Sequence, residues 1–108
     1  SNDLGNGGGV GDYPPASSTT VSSVSITNNK AYCIGDSYSN DDNVITVNYN
    51  NGTSNEVPSS YIRTSKITDP LGQTFSKSSQ FNRAGSYYLE CTVRVEGVNY
   101  NAETNFFV

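Results

Sequence analysis

Residues 86–108, SYYLECTVRVEGVNYNAETNFFV, alternate in side-chain character along most of their length and break at Glu96-Gly97. Successive side chains of a strand point to opposite faces, so this pattern predicts two half-buried strands joined by a hairpin. Tyr87, Leu89, Cys91, Val93 and Val95 fall on one face, the core side. Tyr88, Glu90, Thr92, Arg94 and Glu96 fall on the other, the solvent side. A tight turn at Glu96-Gly97 pairs Val95 with Val98, Val93 with Tyr100, Cys91 with Ala102, Leu89 with Thr104 and Tyr87 with Phe106. A four-residue loop shifts the pairs and keeps the same faces inward. The tight register also sets Glu90 opposite Glu103, where like charges repel. It therefore calls for a nearby cation, Arg94 being the expected one, or for a different register. Phe107 points away from Phe106 and Val108, toward a neighbouring strand, another domain or a second subunit.

The chain upstream uses the same vocabulary. Strands are expected at Thr20–Ile26, Ala31–Ile34, Asn43–Tyr49, Thr53–Val57, Ser60–Ile67 and Gln73–Phe75. Asn51-Gly52 between two such runs is a strong hairpin signal, because both residues tolerate positive φ. The run DPLG (Asp69–Gly72) reads as a turn set by Pro70 and closed by Gly72. No stretch carries a helical period. Seven or eight short strands within 108 residues predict one all-β domain, a sandwich or barrel. Residues 1–18, crowded with Gly, Pro and Ser, read as a flexible tether ahead of a domain over residues 19–108. Such a tether fits either a lipoprotein acylated on a cysteine just before Ser1 or a linker between domains. An export signal, if the chain had one, is expected to have been removed ahead of Ser1.

Charge narrows the function classes. The formal net charge is −4 and the six Lys and Arg are scattered, which argues against nucleic-acid binding. No apolar run is long enough to span a membrane, so membrane attachment is expected only through an N-terminal lipid anchor. The chain has no His. That removes Cys2His2 and Cys3His zinc sites, a Cys–His nucleophile and a Ser-His-Asp triad. The acids are scattered over turns and outer faces, with no recognisable carboxylate pair, and an enzyme is not expected. No cofactor is expected.

Two cysteines remain, Cys33 and Cys91. Cys91 sits on the inward face of its strand, the wrong place for a reactive thiol. In a sandwich, an early strand and the penultimate strand face each other across the core. A Cys33–Cys91 disulfide between the two sheets is therefore the expectation, with a thiolate–carboxylate metal site the remote alternative. Such a bridge closes a long loop, is worth about 4 kcal/mol in the chain-entropy model, and implies an oxidising compartment.

Three stretches, AYCIGDSYS, ITVNYNNGTSNEV and FNRAGSYYLECTVRVEGVNYNAETNFFV, together resemble bacterial immunoglobulin-like domains, in particular the group 3-like Big type. The matching positions are Tyr32, Gly35 and Asp36, then Val47, Tyr49, Gly52 and Thr53, then Gly85, Tyr87 and Cys91. The resemblance covers about Val21 to Val108. It implies an antiparallel Greek-key immunoglobulin-like β-sandwich of about seven strands. It also implies a non-catalytic module of a surface or secreted bacterial protein, in an extracellular, cell-surface or periplasmic setting. The two cysteines depart from most relatives of that type. The lack of Trp, and the wider gap from Gly85 and Tyr87 to Cys91, depart from antibody-type domains.

The expected role is a spacer, accessory or cell-adhesion module, monomeric, facing a surface glycan or protein. A carbohydrate-binding module is the alternative, stacking sugars on Tyr38, Tyr61 and Tyr88 as the expected exposed tyrosines. A subunit of a surface assembly that adds a strand across an unpaired edge is the third. The loop GDSYSNDDN gathers Asp36, Asp41 and Asp42, a weak candidate for Ca²⁺ against the plainer reading of a solvated turn. The NGT run at Asn51 matches a glycosylation sequon but is first a turn.

Overall fold

In a computed structural model, which describes residues 19–108, the chain forms two antiparallel sheets packed face to face as an all-β sandwich. The expected tether over residues 1–18 lies outside the described residues. Among the described residues there are seven strands: β1 (Val21–Thr27), β2 (Val44–Tyr49), β3 (Ser54–Val57), β4 (Ile62–Thr68), β5 (Thr74–Phe75), β6 (Ser86–Val95) and β7 (Val98–Phe107). The first sheet runs β1-β2-β3 and the second β5-β4-β6-β7. Two short 3₁₀ turns, Asn40–Asp42 and Ser59–Tyr61, are the helical elements among the described residues.

The β6–β7 hairpin has the tight register, with Val95 opposite Val98 and Tyr87 opposite Phe106. Glu96 and Gly97 both adopt positive φ, 51° and 80°, as a two-residue turn requires. Glu90 does face Glu103. The nearby cation is Lys66, opposite Glu90 on the neighbouring β4. Arg94 instead donates to Asn99 Oδ1 at 3.0 Å.

The β2–β3 connection differs from the expected Asn51-Gly52 turn. Tyr49 and Thr53 bracket a three-residue loop, and only Gly52 has positive φ, 86°. Asn51 Oδ1 accepts hydrogens from the Thr53 N–H and hydroxyl, closing the loop from the side-chain end. The DPLG turn forms as expected, with Asp69 Oδ1 accepting from the N–H groups of Leu71 and Gln73.

The core draws Val24, Ile26, Ile45 and Val47 from the first sheet and Ile67, Leu89, Val93 and Phe106 from the second. Phe81, from the connection between β5 and β6, plugs one end. It stacks on Phe75 at 5.0 Å and meets Tyr32, Tyr87 and Phe106 edge-on or tilted at 4.9–5.7 Å. Each fully buried aromatic of this kind contributes about 1.5–3 kcal/mol from burial, and the offset ring pairs add to it.

The expected strand Ala31–Ile34 is not one. Ala31 makes a single parallel bridge to Phe107, and the Tyr32 N–H donates to the Phe107 carbonyl. Cys33 then turns away: its N–H donates to Asp36 Oδ2, and the Asp36 N–H donates back to the Cys33 carbonyl. This corrects the disulfide expectation. Tyr32 takes the inward position, so its neighbour Cys33 faces solvent, while Cys91 is buried on the inner face of β6. Both are free thiols. A bridge requires Cys33 at an inward strand position, and local turn chemistry at Asp36 removes that strand.

Candidate functional site

The sequence candidates separate. Tyr38 is not exposed, as stacking on a sugar would require. Its ring packs on Phe106 at 5.9 Å, and its hydroxyl donates to Asn40 Oδ1 and accepts from Asn43 Nδ2. Burial raises its phenol to about 12. Tyr61 is 37% exposed at the end of its 3₁₀ turn. Tyr88 is half-buried on the outer face of the four-stranded sheet, opposite Thr68 and Asn105.

The acidic loop is occupied by its own structure. Asp36 caps the Cys33 turn. Asp41 accepts from Ser59 Oγ, tying the loop to the second 3₁₀ turn. Asp42 accepts from the Tyr32 hydroxyl at 2.8 Å and the Ser39 N–H, and meets Lys30 Nζ at 3.6 Å. The three carboxylates serve three different partners rather than one centre. Among the described residues no three acids or thiols converge as a metal set.

What this loop builds instead is a buried polar chain that sequence reasoning missed. Asn28 Nδ2 donates to both the Tyr32 hydroxyl and Asn43 Oδ1, each at 3.0 Å. Asn43 reaches Tyr38, Tyr38 reaches Asn40, and Ser65 of β4 donates to Asn40. Asn28 and Asn43 are themselves buried, where an unpaired amide is costly. Burial also raises the Tyr32 and Tyr87 phenols, and it raises the Cys91 thiol to about 11. The available signal was the run of Asn and Tyr at Tyr38–Asn43, legible only once Asn28 is known to lie beside it.

The outer face of the four-stranded sheet is different in kind. A groove of about 490 Å³ runs across it, lined by Thr64 and Lys66 of β4, Glu90 and Thr92 of β6, and Asn101 and Glu103 of β7, over the backbone of Cys91 and Ala102. Among the described residues, these six side chains make no hydrogen bond or ion pair with one another or with any other residue. Nearer the Glu96-Gly97 turn, a second cleft of about 380 Å³ is lined by Ser60, Tyr61, Arg63, Arg94, Glu96 and Gly97. A β-bulge links the two. Ile62 pairs with Val93 and Thr64 with Thr92, so Arg63 is the extra residue between them. Arg63 and Thr64 are consecutive yet both exposed, which ordinary alternation does not permit. One polar track thus runs from Tyr61 along the sheet face toward Tyr88. Searches against protein-family models, curated proteins and solved structures each found no match.

Proposed function

We propose that the chain is a non-catalytic binding module of a secreted or surface-anchored bacterial protein, and that it holds its partner against the outer face of the β5-β4-β6-β7 sheet. The observation that carries this reading is the groove over Thr64, Thr92 and Asn101, whose polar side chains have no partner among the described residues. Elsewhere the candidate side chains are engaged: Asp36, Asp41, Asp42 and Tyr38 each hold the fold together. The groups with raised titration are buried tyrosines and a buried thiol, placed to pack rather than to meet a substrate.

An immunoglobulin-like Greek key is the finer architecture we infer. Its support is the Tyr87 hydroxyl, which donates to the Arg83 carbonyl at 2.7 Å from the start of the penultimate strand. A tyrosine bonded back to the chain just upstream is a recurring corner in that fold. With no bridge between Cys33 and Cys91, the extracellular or periplasmic setting rests on the resemblance and on the acidic, polar surface rather than on redox chemistry.

Affinity electrophoresis through native gels holding neutral and acidic polysaccharides tests the reading. Retardation by one glycan, abolished by Thr92→Glu in the groove and retained in Ser25→Glu on the opposite sheet, is expected. Free migration through every gel would refute glycan binding and leave a spacer role.

A further inference from the structure

The geometry points to the cleft at the turn end of this sheet as a site for the carboxylate of an acidic sugar. In this assignment Arg63 and Arg94 hold the carboxylate, Tyr61 supports the ring, and Glu96 accepts a sugar hydroxyl. It rests on the reading of the outer sheet face as a binding surface and names the ligand class at one end of it.

Three observations converge. The first is how the two guanidinium groups come together. Arg94 faces outward by strand alternation and is braced by Asn99 Oδ1 at 3.0 Å. Arg63 follows the inward-facing Ile62 and so points to the same face, and the β4 bulge sets Thr64 beside it there. Bulges commonly re-aim a side chain next to a functional site. The second is charge. The chain is acidic overall at −4 with six cations, yet two of them line one cleft of about 380 Å³. The single ion pair between described residues is elsewhere, at Lys30–Asp42. With Glu96 on the rim, the cleft carries a net formal charge of +1, which matches one carboxylate. A phosphate monoester, at about −1.5 to −2, would be left under-neutralised. Guanidinium forks meet carboxylates in a planar two-bond geometry that Lys cannot supply. The third is Glu96 itself. It is the one non-glycine described residue with positive φ, at 51°. Asn, Asp or Gly suits that turn position better, and strain of this kind concentrates at binding sites. Beyond the cleft, the row Thr64, Thr92 and Asn101 continues the track with hydroxyls and an amide, suited to the next units of a polyhydroxyl chain.

The test uses the whole chain in native gels containing polygalacturonate, a neutral galactan or dextran sulfate. Retardation by polygalacturonate, weakened by added salt, is expected. Arg63→Gln and Arg94→Gln should each weaken it by about tenfold or more, Arg63→Lys should recover only part, and Lys77→Gln, which removes a cation elsewhere, should leave it unchanged. Thermal melts verify that each variant folds. Retention that survives both arginine changes would overturn the assignment, and so would dextran sulfate binding as well as the uronate. Retention by galactan alone would overturn the carboxylate site and leave the sheet-face reading standing. No retention in any gel would overturn both.

Discussion

Asn28→Ala is the sharpest perturbation of the fold. Asn28 is 5% exposed and makes three hydrogen bonds: two donated by its amide, to Tyr32 and Asn43, and one accepted from the Lys30 N–H at 3.1 Å. Truncation removes all three and strands Asn43 Oδ1 in the interior. At about 1 kcal/mol per lost bond, with an unsatisfied buried acceptor at the upper end of that scale, the cost is about 3–4 kcal/mol. That is a large share of the stability expected for a small domain, about 5–15 kcal/mol. The melting temperature should fall by about 4–8 °C for each kcal/mol lost. Asn28→Asp keeps the shape but replaces the two donated hydrogens with lone pairs that face the Tyr32 hydroxyl oxygen and Asn43 Oδ1, so at neutral pH it should be at least as damaging. Urea unfolding followed by circular dichroism measures both, with Asn105→Ala on the exposed sheet face as the control, expected within about 0.5 kcal/mol of the parent. If Asn28→Ala costs no more than Asn105→Ala, the polar chain does not support the fold as argued. A double-mutant cycle with Asn43→Ala should show a coupling of about 1 kcal/mol, because the two amides bond to each other.

Gly85→Ala should destabilise by about 2–3 kcal/mol in the same assay. Gly85 sits at φ 140°, and a Cβ there would lie 2.8 Å from Pro70 Cγ, a ring atom that cannot rotate away. In the native protein one thiol, Cys33, should react quickly with a disulfide reagent, and Cys91 only slowly, since burial raises its thiol to about 11. Denaturation without reductant should expose two thiols, and a count of zero would restore the bridge. Stability should fall as pH rises above about 9. Cys91, at about 11 in the fold against an ordinary 9.0, and Tyr38, at about 12 against 10.0, keep their protons in the folded state after the unfolded chain has lost them. Their contribution is complete below the unfolded values and is lost as pH climbs through the folded ones. Urea midpoints that stay flat from pH 8 to 11 would contradict this.

The β6–β7 hairpin was readable from the sequence down to its register, and for a plain reason. Both strands are half-buried, so each alternation is enforced by the core, and a slip of one residue would turn every apolar side chain to water. The turns were legible for the same kind of local reason, Asp69–Gly72 most clearly, because the residues that need unusual φ or side-chain caps are adjacent in the chain. Ala31–Ile34 was not, since four residues carry too little pattern to decide which side chain points inward. Tertiary contacts decided it: Phe81 and Phe107 draw Tyr32 into the core, Cys33 is left outside, and the disulfide expected from strand order does not form. The candidate site shows the same division. Alternation placed Thr92 and Arg94 on the outer face, but the consecutive Arg63 and Thr64 share that face only through a bulge, and Tyr38 and the acidic loop turn inward around Asn28. A bulge and a buried amide are both long-range facts, set by what lies across the sheet or beneath it, and no local stretch of the chain encodes them.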